Sequence, residues 1–423
     1  MQLLASLFVA GAAVASNAAV AVQANAPPST MSCSTIQHHA DYKGNDIRSI
    51  KRETVNDCCA DCAAAPDCVV AVWYEGTCWL KNVVGTRTLL GNSTAVFPQR
   101  SNDRTSPSGL TEATTQSLPL KNIQAGYAYA KGHRQGTYKM VTELRGCQTR
   151  VEMSAGPIAP YHEDVTFVFR GPMDIYNIAI FQPAKSKTWS RVSSYSRTSA
   201  TNLVFMNNGN PQKYKGLSPQ GYATADGRGF APEEPTPFRG RLDDGSNPSN
   251  RYGGPGNTTG VEVNIMQRQR CTRDVCKGYF DQAYGARGWS GSKVFVAKVK
   301  MDGVHGLPAI WALNSQVVRA NQYGCNCRGR ADPGGCGELD IAEAIQRGSS
   351  ALSTHNYWLD ANPSDGHDTW TTRPTNEPAT FVAILDERSG VIKVLRLGGD
   401  DFAAFDVDAI SADAMNALIQ HPI

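Results

Sequence analysis

The chain has 423 residues, with 41 Lys and Arg against 38 Asp and Glu, and 12 cysteines; 41% of its residues are hydrophobic and 19% charged. That balance describes a globular protein of roughly two or three domains rather than a disordered chain. A formal charge of +3 without a dense basic stripe excludes neither solubility nor catalysis, but it gives no reason to expect nucleic acid or an anionic membrane as partner.

Residues 1–26 carry no charge and run small and apolar through Leu3, Leu4, Leu7, Phe8 and Val9, ending at Ala24-Asn25-Ala26 before Pro27-Pro28. This reads as a secretory signal peptide that lacks the usual basic start. A membrane anchor, the alternative, needs about 20 strongly apolar residues, and Asn17, Gln23 and Asn25 interrupt the run. No later stretch is apolar enough to span a bilayer, and Asn416–Ile419 is too short for a lipid-anchor signal. A soluble, secreted monomer is expected.

In an oxidising compartment an even number of cysteines is a disulfide framework before it is a metal site. Six lie between Cys33 and Cys78 and six between Cys147 and Cys336, so each half can close its own bridges and two folding units are the simplest account.

The first unit covers residues 33–97 and is too short for its core alone to hold it comfortably. Its Ala-rich centre, from Cys58-Cys59 through Cys62 to Cys68, suits a short helix stopped by Pro66. Val69–Tyr74 reads as a strand, and Glu75-Gly76 as the turn into a second strand at Cys78-Trp79-Leu80-Lys81. This order, with the spacing of Cys58, Cys62, Cys68 and Cys78, resembles the PAN/Apple module. The resemblance implies a small disulfide-rich α+β fold that binds a protein or a carbohydrate; a passive spacer is the competing reading. The six cysteines leave 15 pairings open. Residues 98–125 are expected to be a linker, Ser/Thr/Pro/Asn-rich as far as residue 120. Asn92-Ser93-Thr94 and Asn257-Thr258-Thr259 match the glycosylation pattern.

From 126 to 423 the text is short strands broken by Gly, Pro and Asn. Val165–Phe169, Ile175–Ile180, Val294–Met301, Thr380–Leu385 and Val391–Leu397 have strand lengths, the last two joined by a turn at Ser389-Gly390. Helical periodicity is weak except near Ala409–Leu418. The chain is therefore expected to be all-β, a sandwich. No dinucleotide or phosphate loop, His-x-x-x-His pair or Gly-x-Ser-x-Gly elbow is present, so no cofactor or metal is expected.

The chemistry concentrates in Gly335-Cys336-Gly337-Glu338-Leu339-Asp340-Ile341-Ala342-Glu343. On a strand Glu338 and Asp340 share one face, with Cα atoms about 6.6 Å apart, while Leu339 and Ile341 face a core. Glu343, at an odd separation, joins the acids only if a β-bulge falls at Ile341-Ala342. Three carboxyls on one face hold at least one proton between them, raising one pKa toward neutrality. Retaining glycoside hydrolysis needs that pairing: one ionised carboxylate to attack and one protonated carboxyl about 5 to 5.5 Å away to donate. The spacing alone is a weak signal in a chain with 38 acidic residues.

Its context strengthens it. Leu307-Pro308-Ala309-Ile310-Trp311-Ala312-Leu313-Asn314 precedes the acids, and Leu352-Ser353-Thr354-His355-Asn356-Tyr357-Trp358 follows them. This ordered series resembles glycoside hydrolase family 16 in its bulged Glu-x-Asp-x-x-Glu form. With Gly171–Tyr176, Cys325-Asn326-Cys327 and Gly335-Cys336-Gly337 added, it resembles the fungal cell-wall family-16-like glycosyl hydrolases of the target-of-SBF type. The resemblance spans most of residues 126–400. It implies a β-jelly-roll with a glycan cleft, a place at the cell wall, and β-glucan as partner, with β-1,3-linked glucan the expected substrate. It implies Glu338 as nucleophile, Asp340 as its assistant, Glu343 as acid/base, Trp311 stacked on a sugar and His355 bonded near the nucleophile. Asn314 and Trp358 join Trp311 and His355 as candidate substrate-binding residues, with Trp289 and Trp370 as further subsite candidates.

Each has a plainer reading: Trp311, Trp289, Trp358 and Trp370 as packing, His355 as a buried hydrogen-bonded histidine. The segment from Cys325 to Cys336, with Arg328 and Arg330, departs from the family pattern and is placed to reshape the cleft. Zinc on Cys325, Cys327 and Cys336 lacks a fourth ligand nearby, so disulfides are expected there. A secreted endo-β-1,3-glucanase is the leading expectation; a β-glucan transglycosylase using the same acids, or a non-catalytic wall lectin or elicitor, are the alternatives.

Overall fold

A computed structural model describes residues 33–98 apart from 66 and 85–86, and residues 118–423 apart from 186, 208–220, 232–237, 244–260, 304–305, 329–334 and 360–364. The expected signal peptide, most of the expected linker, Pro66, Asn257 and Arg330 lie outside the described residues. The chain divides into two compact units, and the described part is mostly β-strand.

Among its described residues the front unit is a five-stranded antiparallel sheet in the order Cys33–Tyr42, Arg87–Pro98, Val70–Tyr74, Thr77–Lys81, Asp46–Lys51, with one helix, Val55–Ala64. The helix starts where Thr54 and Asp57 form a reciprocal capping box, which satisfies two amide donors with no helical partner. It buries Cys58, Cys59 and Cys62 against the sheet. The bridges Cys58–Cys78 and Cys62–Cys68 pin it there, and Cys59 is disulfide-bonded too. Positive φ at Glu75 (46°) and Gly76 (73°) makes the tight turn between Val70–Tyr74 and Thr77–Lys81. Asn92, the first glycosylation candidate, is exposed.

Among the described residues the second unit is a sandwich of two nine-stranded antiparallel sheets. The acid-bearing sheet runs Phe230–Ala231, Gly221–Ala223, Val204–Asn207, Glu262–Met266, Val165–Arg170, Ala309–Asn314, Gly335–Glu343, Ala351–Leu359, Asp365–Thr372. The backing sheet runs Ser199–Thr201, Thr188–Ser196, Met173–Pro183, Lys293–Lys300, Ala379–Asp386, Val391–Gly398, Ala125–Ala128, with Arg241–Leu242 and Ala409–Ser411 paired alongside. Alternate residues of facing strands meet between them. Phe167 stacks on Phe295 at 4.0 Å between ring centroids, within a buried cluster that includes Val263, Ile265, Ile310, Leu339, Phe381 and Val394. At roughly 1.5–3 kcal/mol for each large apolar side chain removed from water, this layer dominates the unit's stability.

The backing sheet is apolar on its other face as well, which explains the near-continuous Val, Ile and Phe in its central strands. The helix Ala412–Gln420, capped by Ser411 on Ala414 N (3.2 Å), covers that face with Met415, Leu418 and Ile419. Two boundaries differ from expectation. Leu118, Leu120 and Ile123 pack into the same layer and Ala125 enters a strand, so 118–125 belongs to the sandwich rather than to a linker. The expected helix near 409–418 begins as the strand Ala409–Ser411, because Ile410 pairs with Trp189 at the sheet edge. The bridges Cys147–Cys325, Cys271–Cys276 and Cys327–Cys336 close within this unit, as the cysteine distribution led us to expect.

Candidate active site

The strand Gly335–Glu343 lies between Ala309–Asn314 and Ala351–Leu359. Against its first neighbour the register is Leu313 with Glu338, Ala312 with Leu339 and Trp311 with Asp340; it then jumps to Ile310 with Ala342 and Ala309 with Glu343. Ile341 is the extra residue of a β-bulge. Ile341 and Ala342 both enter the inter-sheet core with no exposure, so the two-residue alternation is broken once and Glu343 returns to the face of Glu338 and Asp340.

Two glycines let the strand enter beneath its neighbours. A Cβ at Gly335 (φ 41°) would sit 2.2 Å from the Cys327 carbonyl oxygen, and one at Gly337 (φ 103°) 2.7 Å from Pro160 Cγ. The Tyr161 hydroxyl supports the strand from below, donating to the Glu338 carbonyl at 2.7 Å. With its amide turned so that oxygen faces the Arg134 guanidinium (3.0 Å), Asn356 donates to that hydroxyl at 2.6 Å.

The three acids are not equivalent. The Glu338 and Glu343 side chains keep 14% and 23% of their exposure, whereas Asp340 is buried between them. Burial, then the Glu343 and Glu338 carboxylates, push Asp340 well above the usual carboxylate range, against the opposing pull of Arg170 and Arg328. Arg328 makes a charge-assisted hydrogen bond to Glu338 Oε2. It reaches that position from the segment closed by Cys327–Cys336, whose second cysteine lies two residues before Glu338. Arg170 donates to Glu343 Oε1 at 2.9 Å and, through Nε, to the Leu307 carbonyl at 2.6 Å.

A fourth carboxylate joins the group. Glu262, 2% exposed, lies 3.9 Å from Arg170 and accepts from the Tyr323 hydroxyl at 2.5 to 2.6 Å. Burial pushes it up to about 7, while Arg170 and Tyr323 hold it down. Sequence reasoning singled out neither Arg170, Glu262 nor Tyr323. The signal was present in Val261-Glu262-Val263-Asn264-Ile265, whose alternation sets Glu262 and Asn264 on one face and three aliphatics on the other.

Of the expected binding residues, Trp311 lies on the acid face opposite Asp340, but it is 4% exposed and the Arg170 guanidinium sits over its ring at 5.4 Å. It is a floor beneath Arg170 rather than an open stacking platform. His355 shares the acid face with Tyr357, which pairs with Glu338, and its Nε2 bonds Asp368 on the sheet's edge strand at 2.9 Å. Asn314 and Trp358 are corrected. Asn314 is buried, caps the short helix Ser315–Arg319 through Gln316 N (3.0 Å) and donates to Glu163 at 2.8 Å, so both ends of its amide serve the fold. Trp358 alternates with Tyr357 onto the opposite face, where the Arg134 guanidinium lies 4.5 Å from its ring centroid. Trp289 and Trp370 are buried within the inter-sheet core and line no open surface.

A family model described as cell wall protein YJL171C/Tos1, C-terminal, matches residues 187–418, more than half of the chain, and the N-terminal model of the same description matches 127–183. The chain belongs to this family. It is thereby a cell-wall protein, and its front unit is a PAN domain, matched over residues 40–81. Among curated relatives, the "Probable circularly permuted 1,3-beta-glucanase YJL171C" of Saccharomyces cerevisiae is 26% identical over 72% of this chain and 80% of its own length. The "Probable circularly permuted 1,3-beta-glucanase TOS1" of Candida albicans is 28% identical over 56% of this chain and 52% of its own length. An Arthroderma benhamiae protein with the same description is 29% identical, over about a third of each chain.

Proposed function

We propose that this cell-wall protein is a secreted glycosidase, a retaining endo-β-glucanase that hydrolyses β-1,3-glucan with Glu338, Asp340 and Glu343. The observation that carries the reading is the single bulge at Ile341, which gathers three carboxyls of unequal burial on one sheet face. The descriptions of the relatives as 1,3-beta-glucanases supply the substrate class.

Arg328 favours ionised Glu338, which suits a nucleophile. Its Oε attacks the anomeric carbon, a C–O bond forms to the enzyme, and the glycosidic C–O bond breaks. The departing oxygen takes the proton from Glu343. Water then attacks the glycosyl-enzyme while Glu343 accepts its proton, which frees Glu338 and returns the sugar with its original anomeric configuration. Asp340, which burial and its two neighbours push toward the protonated form, lowers the charge of the trio and offers the nucleophile a hydrogen bond. His355 is placed to contact the sugar, and Trp311 to steady Arg170.

Glu338→Gln keeps the shape of the side chain and removes the attacking oxygen anion. Reducing-sugar release from laminarin should fall by about a thousandfold or more with the unfolding temperature nearly unchanged. Unaltered release by the variant would end the assignment.

A further inference from the structure

The contact between Arg170 and Glu343 poses a chemical difficulty for the glucanase reading, on which this inference rests. A guanidinium 2.9 Å from a carboxylate favours its ionised form, yet an acid/base residue must carry a proton to the leaving oxygen. The sheet register supplies a counterweight. Glu262 pairs directly with Arg170, Arg170 with Ala309, and Ala309 with Glu343, a straight row across four adjacent strands. The methyl side chain of Ala309 leaves room for Arg170 to extend over it, so one guanidinium lies between two carboxylates on the same face.

We propose that Glu262 is a positioning residue that shares Arg170 with Glu343 and so lets Glu343 carry the proton delivered to the leaving glycosidic oxygen. The charged and titratable groups facing Glu262 are Arg170 from the neighbouring strand, Tyr323 and Arg328 from the segment after the short helix, and Glu343 across the row. The Tyr323 hydroxyl is turned inward onto Glu262 and favours its ionised form. Burial leaves Glu262 ionised only above about pH 7, and there it draws part of the field of Arg170 away from Glu343. When Glu262 is neutral, the whole charge of Arg170 falls on Glu343.

The test uses the full chain and two substrates: laminarin, whose leaving sugar needs a proton, and a 2,4-dinitrophenyl β-laminaribioside, whose leaving phenolate does not. In Glu262→Gln the alkaline limb of kcat/KM on laminarin should move down by about one pH unit, with roughly tenfold less activity on its flank. The rate on the dinitrophenyl substrate should stay within about twofold. Tyr323→Phe removes a donor that stabilises ionised Glu262, so it should move the limb in the same direction by less, and Glu262→Asp should recover part of the shift. An unmoved limb in both Glu262→Gln and Tyr323→Phe would overturn the inference, as would equal losses on both substrates, which mark a merely structural role. A wild-type chain inactive on both substrates would overturn the glucanase reading and this inference with it.

Discussion

Glu262 and Asp340 are buried acids whose pKa values both lie above those of an exposed carboxyl, and the sign of that shift has a thermodynamic consequence. A carboxyl whose folded pKa is raised stabilises the fold below its unfolded pKa, and the contribution is lost as pH rises through the folded value. For Glu262 the window runs from 4.5 to about 7, worth about 3 kcal/mol across it. Glu262→Gln does not titrate. Its stability relative to the wild type should therefore climb by about that amount between pH 4.5 and 7.5, read from urea unfolding at each pH. A difference independent of pH would show that Glu262 titrates normally. Asp340→Asn follows the same logic: burial and the two flanking carboxylates raise the carboxyl, so the stability of the variant relative to the wild type should climb as pH rises.

With Ile341 in place, the acids depend on the bulge. Deleting Ile341 sets Asp340, Ala342 and Glu343 opposite Trp311, Ile310 and Ala309 in unbroken register, so Glu343 stays on the acid face; the variant should retain laminarin hydrolysis yet unfold at lower temperature, measured by calorimetry, because the core loses the Ile341 side chain. Gly337→Ala isolates the strand's entry. A non-glycine residue at φ 103° with Pro160 Cγ at 2.7 Å should cost about 2 kcal/mol or more, again read as a lowered unfolding temperature. The bulge was legible beforehand because Glu343 stands at an odd separation from Glu338 in a run otherwise alternating acid and aliphatic. Register across strands was not legible. Glu262 and Glu343 share a row although 81 positions separate them, and no local pattern states which strands pair. Asn314 and Trp358 failed for related reasons. The capping partners of Asn314 lie in Glu163 and Gln316, and the face of Trp358 follows from alternation with Tyr357, which proximity to a motif cannot reveal.

At the scale of the whole molecule, each unit has its own core and its own bridges, so each should fold by itself. That division was readable from the cysteines alone. The inward dock of residues 118–125 was not, because three spaced aliphatics in a polar stretch read as linker until the backing sheet offers them a surface. We expect a chain lacking residues 33–98 to keep its kcat on soluble laminarin within about twofold, because the three acids, both arginines and Glu262 all lie in the second unit. If the front unit directs the protein to its polymer, the same truncation should lower retention on insoluble wall glucan in a pull-down.

The measurement that bears most directly on the carboxylate trio is covalent trapping with 2-deoxy-2-fluoro-β-laminaribiosyl fluoride, read by peptide mass spectrometry. The account expects one adduct per chain, on the peptide containing Glu338, and recovery of activity as the adduct hydrolyses. Label on another carboxyl, or turnover to the inverted anomer with no label, would contradict it.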